Sequence, residues 1–161
     1  MTEFSITSRR DFLVLSGISL LLAGCSTTAV MTPTPGSEDD TVAALPMVNK
    51  LRASKGFSAL TLDTSARKAA GIQATRMAKA QEMKHLIGFG DDFGARMKKS
   101  DVALPAAENI AAGQKSVEAA VQAWIDSPRH LENMLGNYRG LGVAMAPAKD
   151  GRPYWAMVLS G

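Results

Sequence analysis

LGVAMAPAKDGRPYWAMVL, residues Leu141 to Leu159, changes the hydrophobic period of the chain. Leu141, Val143 and Met145 alternate with Gly142, Ala144 and Ala146. Tyr154, Ala156 and Val158 alternate with Trp155, Met157 and Leu159. A period of two belongs to a strand, because successive side chains leave a pleated backbone on opposite faces. Asp150-Gly151 between the runs is a hairpin signal. The chain is therefore expected to close with an antiparallel hairpin, with Tyr154 and Trp155 on opposite faces.

Upstream the period is helical. Val42, Leu45, Val48 and either Leu51 or Arg52 mark one face of a helix that Gly56 terminates; it is capped by Asp39-Asp40-Thr41 or begins at Pro46. Asp63 caps a longer helix over 64–82, where Ala66, Ala69, Ala70, Gln73, Ala74, Met77 and Ala80 recur near a spacing of 3.6. Gly88 to Asp92 is a loop, and Phe93 to Lys99 a short helix. Ser100 to Pro105 reads as a loop or a short strand, and Glu108 to Ala112 as either kind of element. Ser116 caps a helix with Val117, Ala120, Val121 and Trp124 on one face. Ser127 at N-cap and Pro128 at N1 open another, which Gly136 or Asn137 ends. Helices first and a hairpin last predict an α+β domain.

The N-terminus reads as an address. Ser8-Arg9-Arg10-Asp11-Phe12-Leu13 resembles a twin-arginine export motif, although paired arginines also serve an ordinary signal. Leu13 to Ala23 is apolar but too short for a membrane span. It ends in Leu22-Ala23-Gly24-Cys25, which resembles a bacterial lipobox. The expected organisation is a signal peptide over 1–24, a lipidated Cys25 with a Thr- and Pro-rich tether over 25–40, and one domain over 41–161. Two or three acyl chains such as palmitate on Cys25 would hold the protein durably on a membrane. The expected location is the periplasmic face of the inner or outer membrane. An uncleaved anchor with an incidental cysteine is the competing reading.

Cys25 is the only cysteine, so no disulfide forms within the chain. The net charge is +3, and no basic stripe alternates with aromatics. Nucleic-acid binding has no support in that pattern.

The chemistry-bearing residues cluster around Ala106 to Asn133, AAENIAAGQKSVEAAVQAWIDSPRHLEN. Glu108 and His130 flank the helix that ends near Trp124, and the other histidine, His85, precedes them. The chain resembles the CAP superfamily of cysteine-rich secretory, antigen and pathogenesis-related proteins, in its disulfide-free bacterial branch. The matching pieces are Asn49-x-x-Arg52 with Gly56, Leu62-Asp63, the run to His85, Phe93-x-x-Arg96, Glu108-Asn109-Ile110-Ala111, Trp124-x-x-Ser127-Pro128-x-His130-x-x-Asn133, Gly142-Val143 and Tyr154-Trp155. Their order and spacing carry the resemblance. It implies a three-layer α-β-α sandwich with the hairpin in the central sheet.

The resemblance further implies that His85, Glu108 and His130 line a cleft and form a candidate zinc set, with Glu108 as a general base. Where the family has a second acid, this chain has Ser127, with Asp126 one residue early. Structural roles compete with these: His130 bonding a loop carbonyl, His85 capping the second helix, Glu108 pinning a loop. Ser127 reads as a helix cap before a nucleophile, and Asn109 and Asn133 as side-chain ties to backbone.

Three functions remain open on the sequence. The first is a tethered module binding a small apolar or envelope-derived ligand, since family members are described as binding sterols and fatty acids. The second is a zinc-dependent hydrolase of peptide or cell-envelope substrates, with His85, Glu108 and His130 as the catalytic set. The third is an envelope interaction protein using its surface.

Overall fold

The computed structural model describes Met1 and residues 34–161. The export signal, the lipobox and Cys25 lie outside the described residues. Met31–Gly161 form one compact unit. Its elements run β1 Glu38–Asp39, α1 Thr41–Ser54, β2 Thr61–Leu62, α2 Thr64–Ala80, α3 Phe93–Lys99, β3 Ala106–Ala112, α4 Val117–Ile125, α5 Pro128–Met134, β4 Gly140–Pro147 and β5 Pro153–Ser160. Among the described residues no helix is long and apolar enough to cross a membrane.

The hairpin holds the sheet together. β4 and β5 pair antiparallel from Gly140–Ser160 to Pro147–Pro153. β3 adds antiparallel to the far side of β5, and β1 and β2 add to the far side of β4. The alternation read from the sequence sorts the side chains between two cores. Leu141, Val143, Trp155, Met157 and Leu159 pack with α1, α4 and α5. Ala144, Ala146, Tyr154, Ala156 and Val158 pack with α2 and Met97 of α3. The sheet is thus buried on both faces, and the architecture is the α-β-α sandwich of an α+β domain. Among the described residues, both cores are built within the unit Met31–Gly161.

The helix signals hold where the side chains make the bonds. Asp63 accepts from Ala66 N–H at 2.7 Å, Asp92 from Ala95 N–H at 2.6 Å and Ser116 from Ala119 N–H at 3.3 Å. Glu108 to Ala112, left open by its sequence, is strand. Its side chains divide between the two cores in alternation, with Ala107 and Ala111 on one and Ile110 on the other.

Several details differ from expectation. Glu38 and Asp39, assigned to the tether, form β1 opposite Met145 and Ala144. Asp39 Oδ2 pairs with Arg67 Nε at 2.6 Å, so the domain begins before residue 41. The buried face of α1 is Thr41, Ala44, Val48 and Arg52, while Val42 is 66% exposed. Pro46 lies inside α1. Ser127 stands at the N-cap of α5, but its hydroxyl makes no capping bond. The hairpin turn is longer than Asp150-Gly151 alone. Ala148 N–H donates to Arg152 O at 2.9 Å, and Gly151 sits at φ +81 between them.

Small residues set the distance between α2 and the sheet. A Cβ on Gly142 would lie 2.2 Å from the backbone of Ala66 and Arg67. The wall is backbone and cannot rotate away. Gly142→Ala is therefore expected to destabilise the domain by about 3 kcal/mol or more, read as a fall in Tm of about 10 °C. An unchanged melting curve would show that α2 slides on the sheet.

Candidate functional site

The site lies at the β3 edge of the sheet. Glu108 leaves β3 with its side chain 2% exposed. A carboxylate so placed needs a counter-charge, since burying an unpaired ion costs several kcal/mol. α3 supplies it. Arg96 Nη1 donates to Glu108 Oε2 at 2.9 Å and Nη2 to Oε1 at 3.2 Å, a two-pronged pair. The Arg96 side chain is 13% exposed, and its guanidinium stacks on Phe93, 5.5 Å from the ring centre. His85 Nδ1 lies 2.9 Å from Glu108 Oε1.

A second tier holds the loop that carries His85. Gln73 of α2 donates through Nε2 to the carbonyls of Lys84 at 2.9 Å and His85 at 3.2 Å. Arg76 pairs with Asp91, which also accepts from Ile87 N–H at 2.6 Å. Burial alone would raise the Asp91 carboxyl. The Ile87 N–H and the Arg76 and Arg96 guanidiniums outweigh it and hold the group below the usual carboxylate range. Arg96 Nε lies 3.4 Å from Asp91 Oδ1, near enough to pair but not aligned as a hydrogen bond. Arg76, Asp91, Arg96 and Glu108 thus form a line of alternating charge from α2 to β3, with His85 beside Glu108 at its end.

The other wall is α5. Asn109 Nδ2 donates to the His130 carbonyl at 3.0 Å, and Asn133 Nδ2 to Asn109 Oδ1 at 2.8 Å. These asparagines tie α5 to the edge strand, as their sequence reading anticipates. The space between the walls is a cleft of about 280 Å³ lined by His85, Phe93, Ala106, Ala107, Glu108, Asn133 and Tyr138. A larger hollow of about 410 Å³, beside Thr75 and Lys149, shares no residue with it. Burial pushes the Tyr138 phenol above its ordinary pKa, so it keeps its proton at neutral pH.

His85 and Glu108 therefore meet as expected. The His130 side chain makes no hydrogen bond to either among the described residues. The residue is half-buried, and only its backbone carbonyl enters the hydrogen-bond network. Burial first, and then the proximity of His85, lower its pKa and favour the neutral imidazole. Sequence reasoning missed Arg96 and Tyr138 as site residues. The need of any buried carboxylate for a cation was the available signal for Arg96. Tyr138 carried none.

A profile of the CAP family, described as the cysteine-rich secretory protein family, matches residues 45–159. The chain belongs to the CAP family. It is 33% identical over 124 residues to the uncharacterized protein YkwD of Bacillus subtilis (strain 168), covering 72% of this chain and 48% of that protein. It thus spans about half the length of that relative. In structure it is similar to an outer surface protein of Borrelia burgdorferi, with a TM-score of 0.66 and 21% identity over 75% of this chain and 91% of the other. An extracellular SCP-domain protein of Bacillus anthracis gives a TM-score of 0.65 and 24% identity, over 74% of this chain and 39% of the other. These two structures share the fold of this CAP domain.

The zinc set implied by the resemblance does not fit this CAP domain. Both Glu108 oxygens already face Arg96, and one also faces His85. A divalent ion there would meet a guanidinium. Among the described residues no three His, Cys, Asp or Glu side chains are arranged to hold a metal.

Arg96→Met is expected to cost about 3–5 kcal/mol of stability, because it strands the Glu108 charge. Adding Glu108→Gln should recover at least about 1 kcal/mol, since the two residues act as a pair. Chemical denaturation of both variants reads this. Equal losses would mean that Arg96 acts by packing on Phe93 alone.

Proposed function

We propose that this protein is an exported lipoprotein whose CAP domain binds a small, envelope-derived ligand in the cleft between β3, α3 and α5. The observation that carries this reading is the closure of Glu108 by Arg96. It takes the one acid of the cleft out of play and leaves a lining of alanine, aromatic and uncharged polar groups. Such a lining suits binding. Export and anchoring rest on the signal and lipobox that end at Cys25, and similarity to outer-surface and extracellular proteins supports the location.

Hydrolysis is the second reading, favoured by one contact. An imidazole held through Nδ1 by a carboxylate is the arrangement of a general base. In that case His85 is the base and Glu108 orients it, with no role for zinc. Ser127, the only serine near His130 in sequence, does not line the cleft.

Two measurements test the proposal. In the native cell, Cys25→Ala is expected to abolish labelling by radioactive palmitate and release the protein from the membrane fraction. Unchanged labelling would remove the anchor. Separately, residues 31–161 are exposed to a total envelope extract, re-isolated and analysed by mass spectrometry, beside Ala106→Trp, which fills the cleft. A small molecule retained by wild type and lost by the variant is the expected result. Equal retention would place binding elsewhere, and none would favour a protein acting through its surface.

A further inference from the structure

We propose that the cleft takes an uncharged secondary amide, the group shared by an N-acetylated sugar and a peptide bond. This rests on the reading of the cleft as a binding site and names the chemistry it recognises.

The charge pattern excludes the alternatives. Arg96 pairs with Glu108, a lining residue, in a two-pronged pair that matches its charge. Among the described residues the lining holds no lysine and no arginine. A carboxylate or phosphate would enter without a counter-ion. An ammonium group would find Glu108 already neutralised and almost sealed from water. Either ion would lose its hydration without compensation.

The remaining polar groups form a complementary set. Glu108, paired with a guanidinium, only accepts hydrogen bonds, so the proton between it and His85 belongs to Nδ1. In the neutral imidazole, that tautomer leaves Nε2 as an acceptor, on a side chain that is 49% exposed. Asn133 commits its amide nitrogen to Asn109 Oδ1, and its own Oδ1 has no partner among the described residues. The Tyr138 hydroxyl has no partner there either, and burial keeps it protonated as a donor. His85 and Tyr138 both line the cleft, and we assign His85 Nε2 as its acceptor and the Tyr138 hydroxyl as its donor. A secondary amide carries one N–H and one C=O, with no charge, and matches both. Phe93, Ala106 and Ala107 supply apolar surface for the methyl or Cα beside the amide. The cleft volume of about 280 Å³ equals about nine waters at ~30 Å³ each, enough for one amide with its substituents.

The test is a titration of ¹⁵N-labelled residues 31–161 followed by backbone amide NMR. The probes are the trimer of N-acetylglucosamine, the unacetylated glucosamine trimer, acetyl-Ala-Ala-N-methylamide, octanoate and octanol. The expected result is saturable shifts at Ala106, Ala107 and Glu108 with at least one amide probe and none with the glucosamine trimer. Which amide probe binds identifies the source, sugar or peptide. His85→Ala and Tyr138→Phe should each weaken binding about three- to tenfold, the loss of one hydrogen bond. Tyr138→Phe keeps the ring and is read even if His85→Ala disturbs its loop. Equal binding of acetylated and free sugars would overturn the amide assignment. So would undiminished binding by the Tyr138→Phe variant. Shifts with octanoate or octanol alone would overturn the amide and leave a binding cleft. Silence from every probe would overturn both.

Discussion

A carboxylate with 2% of its side chain in contact with water must be neutralised, and the site side of this domain is arranged around that requirement. Glu108 sits on the edge strand β3. Arg96 reaches it from α3, Asp91 steadies Arg96, and Arg76 on α2 steadies Asp91. The loop between α2 and α3 has little apolar anchorage of its own, with Met83, Leu86 and Phe89 all exposed. Its position comes from hydrogen bonds by Gln73, Arg76 and Asp91 to its backbone. His85 is thereby presented by a polar network.

The other helical layer has its own buried cation, solved differently. Arg52 on α1 is 1% exposed and pairs with no carboxylate among the described residues. It donates to the carbonyls of Ser58 at 2.7 Å, Met134 at 2.8 Å and Gly136 at 2.9 Å, and covers the Phe57 ring. Burial lowers its pKa, although a guanidinium stays charged at neutral pH. Its bonds gather the C-terminal end of α5 and the turn after α1. Asn49, one turn earlier, exchanges two bonds with Leu60. α5 is only seven residues long. It is held at one end by Arg52 and along its length by Asn109 and Asn133, which fixes the far wall of the cleft.

Glu108, the one acid of the cleft lining, is paired by Arg96. What lines the cleft is an imidazole, a phenol and an amide, set against alanine and aromatic carbon. Such groups discriminate by hydrogen-bond pattern more than by charge.

Local sequence determined the elements and the division of the sheet between two cores. Period-two alternation in β4 and β5 and the caps at Asp63 and Ser116 depend on bonds within a few residues, so they were legible. The family pattern also placed His85 beside Glu108. The start of the domain at β1, the strand identity of β3 and the buried face of α1 were not legible. Each depends on residues distant in sequence: Met145 opposite Glu38, Val158 opposite Glu108, Met134 and Gly136 around Arg52. The fit of a zinc set was not legible for the same reason. A triad of His85, Glu108 and His130 can be named from sequence. Only the tertiary structure decides that Arg96 reaches Glu108 first, because the pairing of a buried charge is settled by whichever side chain the packed helices bring within reach.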